Sequence, residues 1–245
     1  MGTIIAVTAA AGMGGTGLGG LAAYLFRRGT DRTVSVLLSF AAGMMLAVVC
    51  ADLLTDAIQA GPGLSALPAA SASVLAGCGG IWLLEELVSG LQAGAKRGGL
   101  FLAGVVMAAA IALHNLPEGM VIGASYAADL AEAGEDGRMM ALVIGLHNIP
   151  EGMAVPLAAG GASRGRAVLT TAAAGAPTVL GAVLGFCLGT MGPGLQMLTL
   201  GGASGAMLYV VFGELLPESF RLCRSPAPVM AAVLGVLTGM GVVLG

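Results

Sequence analysis

Charge is what this sequence has least of. Only 9% of its 245 residues are Asp, Glu, Lys or Arg, against about 25% in an ordinary soluble domain. Aromatic residues make up 4%, too few for a surface that stacks nucleobases. With a net charge of −3 there is no basic footprint for a polyanion, so nucleic acid is excluded as a partner. Four cysteines, Cys50, Cys78, Cys187 and Cys223, form no CxxC pair. They are expected to be small buried hydrophobes rather than metal or redox ligands. No positive n-region opens the chain as in a signal peptide, since Arg27 and Arg28 follow the first apolar run. What is abundant is apolar surface: 57% of the chain is hydrophobic and its mean hydropathy is +0.96. A soluble fold could not hide that much, so lipid is the implied solvent. The 42 glycines suit helices that pack closely in a bilayer, where small residues let backbones approach.

A helix needs about 20 apolar residues to cross the hydrocarbon core. Eight segments qualify, at 3–26, 34–58, 67–91, 99–126, 138–160, 166–190, 194–219 and 227–244. The expected fold class is therefore all-α and membrane-integral, a single domain over 1–245. Basic residues set its orientation. Arg27, Arg28, Arg32, Lys96, Arg97, Arg164, Arg166, Arg221 and Arg224 flank the odd loops, and only Arg138 falls in an even one. The positive-inside rule then places the odd loops in the cytoplasm and both termini outside. Loop four, on the outer side, carries Asp129, Glu132, Glu135 and Asp136 and reads as a solvated loop that could also concentrate cations.

The chain contains a repeat. Segment 43–57 reads GMMLAVVCADLLTDA and segment 205–219 reads GAMLYVVFGELLPES. At an offset of 162, Gly43, Met45, Leu46, Val48, Val49, Leu53 and Leu54 meet identical residues. Asp52 meets Glu214 and Asp56 meets Glu218, so four acids mark a candidate pathway. The two copies lie in spans of opposite direction, making the repeat inverted, a construction that places sites near the bilayer midplane.

The only two histidines head two copies of one pattern, His114-Asn-Leu-Pro-Glu118-Gly and His147-Asn-Ile-Pro-Glu151-Gly, each within an apolar span. His at i and Glu at i+4 share a helix face, so both can ligate one cation. Pro117 and Pro150 cannot donate to the helix and should kink it. Gly119 and Gly152 permit close approach, and Asn115 and Asn148 offer amide oxygens. A carboxylate at mid-bilayer costs at least ~2.5–3.5 kcal/mol on insertion scales. No Lys or Arg within the spans could neutralise Glu118 or Glu151. A divalent cation would. Mixed imidazole and carboxylate ligands favour Zn²⁺, with Fe²⁺, Mn²⁺, Co²⁺ and Cd²⁺ as alternatives, over an all-oxygen calcium site.

With these two motifs the sequence resembles the ZIP family of zinc and iron transporters, in its bacterial branch. The segments FAAGMML (40–46) and GELLPES (213–219) are also similar to that family. The resemblance implies eight spans, with helices 1–3 and 6–8 an inverted repeat around the metal-binding pair 4–5. It implies a metal site of His114, Asn115, Glu118, His147, Asn148 and Glu151, with Met45 of the second span in reach and Asp52 at the entrance. The function implied is secondary transport of a divalent transition-metal cation by alternating access, as uptake across the plasma membrane of a bacterium. The metal is cargo, no prosthetic cofactor is expected, and GxxxG-like faces permit a homodimer. Many bacterial members carry Glu before Pro in the sixth span, where this chain has Ala176 before Pro177.

Two other classes compete. A membrane metalloenzyme would need the same ligands plus a metal-bound water, but the sequence has no HExxH and no nucleophile–base pair beside the motifs, so no enzyme is expected. A selective channel would share the fold and differ in kinetics. With Ala176 in place of a carboxylate, anomalous scattering from crystals soaked in Zn²⁺ or Cd²⁺ should show one fully occupied ion. Two would contradict the loss of the second position.

Overall fold

A computed structural model describes residues 1–25, 31–61, 63–95, 100–132, 136–158 and 164–243. The loop positions Arg27, Arg28, Lys96, Arg97 and Glu135 lie outside the described residues. Among the described residues the chain forms eight helical rods in sequence order. The first runs over 2–25, with a π-helical turn at Ala10–Gly14 between Gly2–Ala9 and Gly15–Leu25. The second joins Asp31–Val48 to Leu54–Ala60 through a π-helical turn at Val49–Leu53. The third is Ala66–Ala95, the fourth Leu100–Glu132 and the fifth Asp136–Ala158. The sixth is broken into Arg164–Ala174 and Pro177–Thr190. The seventh joins Pro193–Val210 to Leu216–Leu222 through a π-helical turn at Val211–Leu215, and the eighth is Pro226–Val243.

Among the described residues, the first three and last three of these rods contain helices long and apolar enough to cross a membrane. The fourth and fifth are the two that carry the polar motifs. Large apolar side chains such as Leu75, Trp82, Leu169, Leu180, Phe212 and Leu237 face outward, as they must when hydrocarbon is the solvent. The same solvent corrects one sequence expectation. All four cysteines are free, but Cys50 and Cys187 are exposed rather than buried. A thiol facing lipid has already left water, so it gains nothing from a place in the core. In the sixth span the α-helical bonds give way at Gly175 and Ala176 to i→i+3 bonds, because Pro177 brings no N–H to the ladder, while Ala176 keeps helical angles (φ −63°, ψ −35°). Helix continues through Pro117 and Pro150.

The packing repeats what the sequence repeats. The first helix packs on the fifth as the sixth packs on the fourth, and the second packs on the eighth as the seventh packs on the third. Exchanging one for six, two for seven, three for eight and four for five leaves this pattern unchanged. The closest approaches obey the same exchange. A Cβ added to Gly43 would strike the Ala232 carbonyl oxygen, and one added to Gly205 would strike that of Val74. A Cβ on Gly119 would strike the Thr178 carbonyl, and one on Gly152 that of Thr16. Thr16 and Thr178 are themselves 162 residues apart, the offset of the sequence repeat. The π-helical turns at Val49–Leu53 and Val211–Leu215 also correspond.

Two polar devices fix the frame. Ser35, Ser39 and Ser219 are fully buried and tie the second helix to the seventh. The Ser219 hydroxyl donates to the Ser35 carbonyl at 2.6 Å, and the Ser35 hydroxyl donates to the Ser219 carbonyl at 2.7 Å. On the other side, Asp129 accepts from the backbone N–H groups of Asp136 and Gly137 at 2.9 and 3.0 Å. Asp129, expected in the fourth loop, falls inside the fourth helix and caps the helix that follows, satisfying N–H groups that have no partner within it. It holds the two motif helices as a hairpin.

Gly43→Ala should lower the melting temperature of the purified protein, because overpacking a tight contact typically costs about 1–3 kcal/mol. Gly79→Ala should hold or raise it, since a Cβ there meets nothing within 4 Å and alanine is the better helix former. Size-exclusion thermal-shift curves on the two variants make the comparison.

Candidate metal centre

The two motifs meet where the fourth and fifth helices face each other. His147 Nε2 lies 3.0 Å from Glu118 Oε1, so the histidine of one motif pairs with the glutamate of the other. Among the described residues, Glu118, His147 and Glu151 form a group whose ligand atoms lie within 4.8 Å of one another. All three are buried, Glu118 completely. Ligands around a tetrahedral Zn²⁺, at ~2.0–2.2 Å from the ion, stand ~3.3 Å apart, so modest side-chain rotation closes the group on an ion.

The carboxylates have oxygens to spare. Glu118 Oε2 and both oxygens of Glu151 are buried and accept no hydrogen bond, as is Asn148 Oδ1. Such acceptors are rare in native structures and call for a physical cause. Two carboxylates side by side repel, and unit charges 4 Å apart interact by about 4 kcal/mol even at an effective dielectric of 20. One cation shared between them removes the repulsion and satisfies the oxygens together. The donor set of one imidazole and two carboxylates fits a borderline ion such as Zn²⁺.

The remaining sequence candidates divide. His114 is drawn to the seventh helix, where its Nε2 sits 2.8 Å from Glu214 Oε1. Glu214, a pathway candidate, is therefore in direct contact with a motif histidine and is partly exposed at 28%. Its repeat counterpart Asp52 lies half-buried in the π-helical turn of the second helix, and Asp56 is half-buried one turn on. Glu218 faces solvent and holds Arg221 in a bidentate pair, with Arg221 Nε 2.7 Å from Glu218 Oε2. Met45 is buried in the apolar core among Met207, Ile122 and Ile144. Asn115 and Asn148 are fully buried. The Asn148 amide Nδ2 donates to Asn115 Oδ1 at 3.4 Å, and the Thr178 hydroxyl donates to the same oxygen at 2.9 Å. Sequence reasoning did not single out Thr178. The signal available was its place one residue after Pro177 and at the repeat offset from Thr16.

Comparison with known proteins adds an independent line. The family model described as ZIP zinc transporter matches residues 90–245. The chain belongs to the ZIP family. Among curated relatives it is 34% identical to the zinc transporter ZupT of Chlorobium limicola, over 97% of this chain and 94% of the relative. It is 32% identical to ZupT of Corynebacterium efficiens, over 93% of this chain and 90% of that protein. It is 35% identical to the zinc transporter ZIPB of Bordetella bronchiseptica, over 96% of this chain and 77% of that protein. This ZIP-family chain is thus a multi-pass membrane protein, not an enzyme.

Glu151→Gln should weaken equilibrium Zn²⁺ binding by the detergent-solubilised protein at least about tenfold, or ~1.4 kcal/mol. Glu214→Gln, outside the Glu118–His147–Glu151 group, should weaken it less. Isothermal titration calorimetry on both variants orders them.

Proposed function

We propose that this chain carries a divalent transition-metal cation, Zn²⁺ foremost, into the bacterial cytosol by alternating access. One observation carries the reading: two buried carboxylates with unpaired oxygens stand beside a histidine, in a protein whose Lys and Arg all lie in or beside the loops. The ZIP-family relatives, named as zinc transporters, support the choice of ion. Under this reading all eight helices form one transmembrane domain, with odd loops in the cytoplasm and both termini outside.

Glu118, His147 and Glu151 hold the ion, His114 joins or hands on to Glu214, and Met45 and Asn148 stand in support. The fourth helix runs outward and the fifth inward in this topology, which sets Glu118 and His147 toward the outer side. His114, Glu151 and then Glu214 follow toward the cytosol, so the acid of the seventh helix receives the ion on its way in. Asp52, its repeat counterpart on the second helix, lies on the outer approach. Metal and proton compete for the same carboxylate oxygens, so arriving protons help Glu118 and Glu151 release their ion. Helices one, four, five and six pack among themselves, as do two, three, seven and eight. These are the two groups whose relative motion would open the site to each side in turn. The metal group comes from a single chain, so the reading requires no second copy, and a homodimer would be an addition to it.

Proteoliposomes loaded with the wild-type protein should take up ⁶⁵Zn²⁺ saturably, and a His147→Ala/Glu151→Ala variant should lose that flux. Unlabelled Fe²⁺, Mn²⁺ and Cd²⁺ as competitors rank the substrates. Flux that does not saturate with metal would replace the carrier with a channel, and equal flux in both proteins would remove the site.

A further inference from the structure

The two motifs are equal in sequence but not in their hydrogen bonds, and the difference starts at a backbone carbonyl. Asn148 Nδ2 lies 3.4 Å from the Ala11 carbonyl oxygen, within the π-helical turn of the first helix. An amide's two ends are told apart by their partners, and a carbonyl only accepts. The nitrogen of Asn148 must therefore face Ala11. The same nitrogen also meets Asn115, which must answer with its oxygen. Because that oxygen only accepts, the Thr178 hydroxyl at 2.9 Å must be the donor. One fixed carbonyl thus orients three side chains in turn.

The outcome is unequal. The Asn115 oxygen takes two donors, while Asn148 Oδ1 is buried and takes none. Asn148 and Glu151, three residues apart, are neighbours on the fifth helix, so the residue with the unpaired amide oxygen adjoins the one with the unpaired carboxylate. Thr178 has little freedom to release its acceptor. It is fully buried, and a Cβ on Gly12 would meet its side chain while one on Gly119 would meet its carbonyl. Its repeat mate Thr16 does something else: it donates to the Gly12 carbonyl of its own helix at 2.9 Å. The break at Gly175 and Ala176 leaves Thr178 in the first turn of a new helical segment, free of that local bond.

We propose that Thr178 is a positioning residue that withholds the Asn115 oxygen from the transported ion, so that Asn148 alone supplies an amide oxygen. The inference rests on the metal-carrier reading and sharpens it: a site legible in sequence as two equivalent halves is served by one amide. With the Asn115 oxygen engaged and Ala176 in the place of a carboxylate, the pair of motifs offers fewer free oxygens than its sequence suggests.

Co²⁺ is the probe, because its visible d–d bands report the ligand set and can be read at saturating metal. The full-length protein in detergent should give the same bands in wild type, Asn115→Ala and Thr178→Ser. Asn148→Ala should shift the bands by removing a ligand. Thr178→Val should shift them by releasing the Asn115 oxygen. Mere destabilisation would lower occupancy without moving a saturated band. Bands that move in Asn115→Ala and not in Asn148→Ala would overturn the assignment, as would a Thr178→Val spectrum identical to wild type. If an asparagine variant fails to fold, the Thr178→Val and Thr178→Ser pair still decides. A wild type that binds no Co²⁺ overturns it outright. A wild type that shows the expected bands yet moves no ⁶⁵Zn²⁺ would defeat the carrier reading and leave the amide assignment standing.

Discussion

Everything in this protein is arranged around two carboxylates that the hydrocarbon would otherwise reject. Glu118 and Glu151 are buried deep in helices whose one Lys or Arg, Arg138, stands at the far end of the fifth. Their cost is tolerable only with a cation or a proton in place. That condition makes the site useful for carriage, since occupancy by either ion can alternate. It also explains the apolar excess of the chain, because an aqueous surround would weaken the hold on the ion that burial gives.

The frame that meets this requirement is a duplicated one. Glycines at matched positions bring carbonyls of neighbouring helices into contact, at Gly43 and Gly205 and again at Gly119 and Gly152. Such contacts stand in for a hydrophobic drive that lipid does not supply between helices. Duplication doubles the ligands, yet the two halves do not remain equal. His147 faces Glu118 while His114 faces Glu214. A symmetric frame thus encloses an asymmetric set of contacts.

Much of this was legible beforehand. Each apolar segment overlaps one helical rod, and six of the rods are, among the described residues, long and apolar enough to cross a membrane, a length set by the bilayer and not by tertiary contacts. The motif pair was legible because acids, histidines and prolines inside apolar helices are too costly to be there by accident. The π-helical turns were not, since a π bulge has no residue type of its own as a break has proline. The exposed cysteines were misread by applying a rule of aqueous cores to a protein bathed in lipid.

The sequence by itself determined the solvent, the number of apolar segments, the repeat and the residue types suited to a metal, because each follows from composition or from spacing along one helix. Only the tertiary structure decided who pairs with whom. That His114 turns to Glu214, that Asp129 caps the fifth helix and that Thr178 engages Asn115 depend on contacts between helices far apart in the chain. Spacing along one helix fixes a face, but the neighbour opposite that face is chosen by packing, and packing between helices is what a linear pattern does not encode.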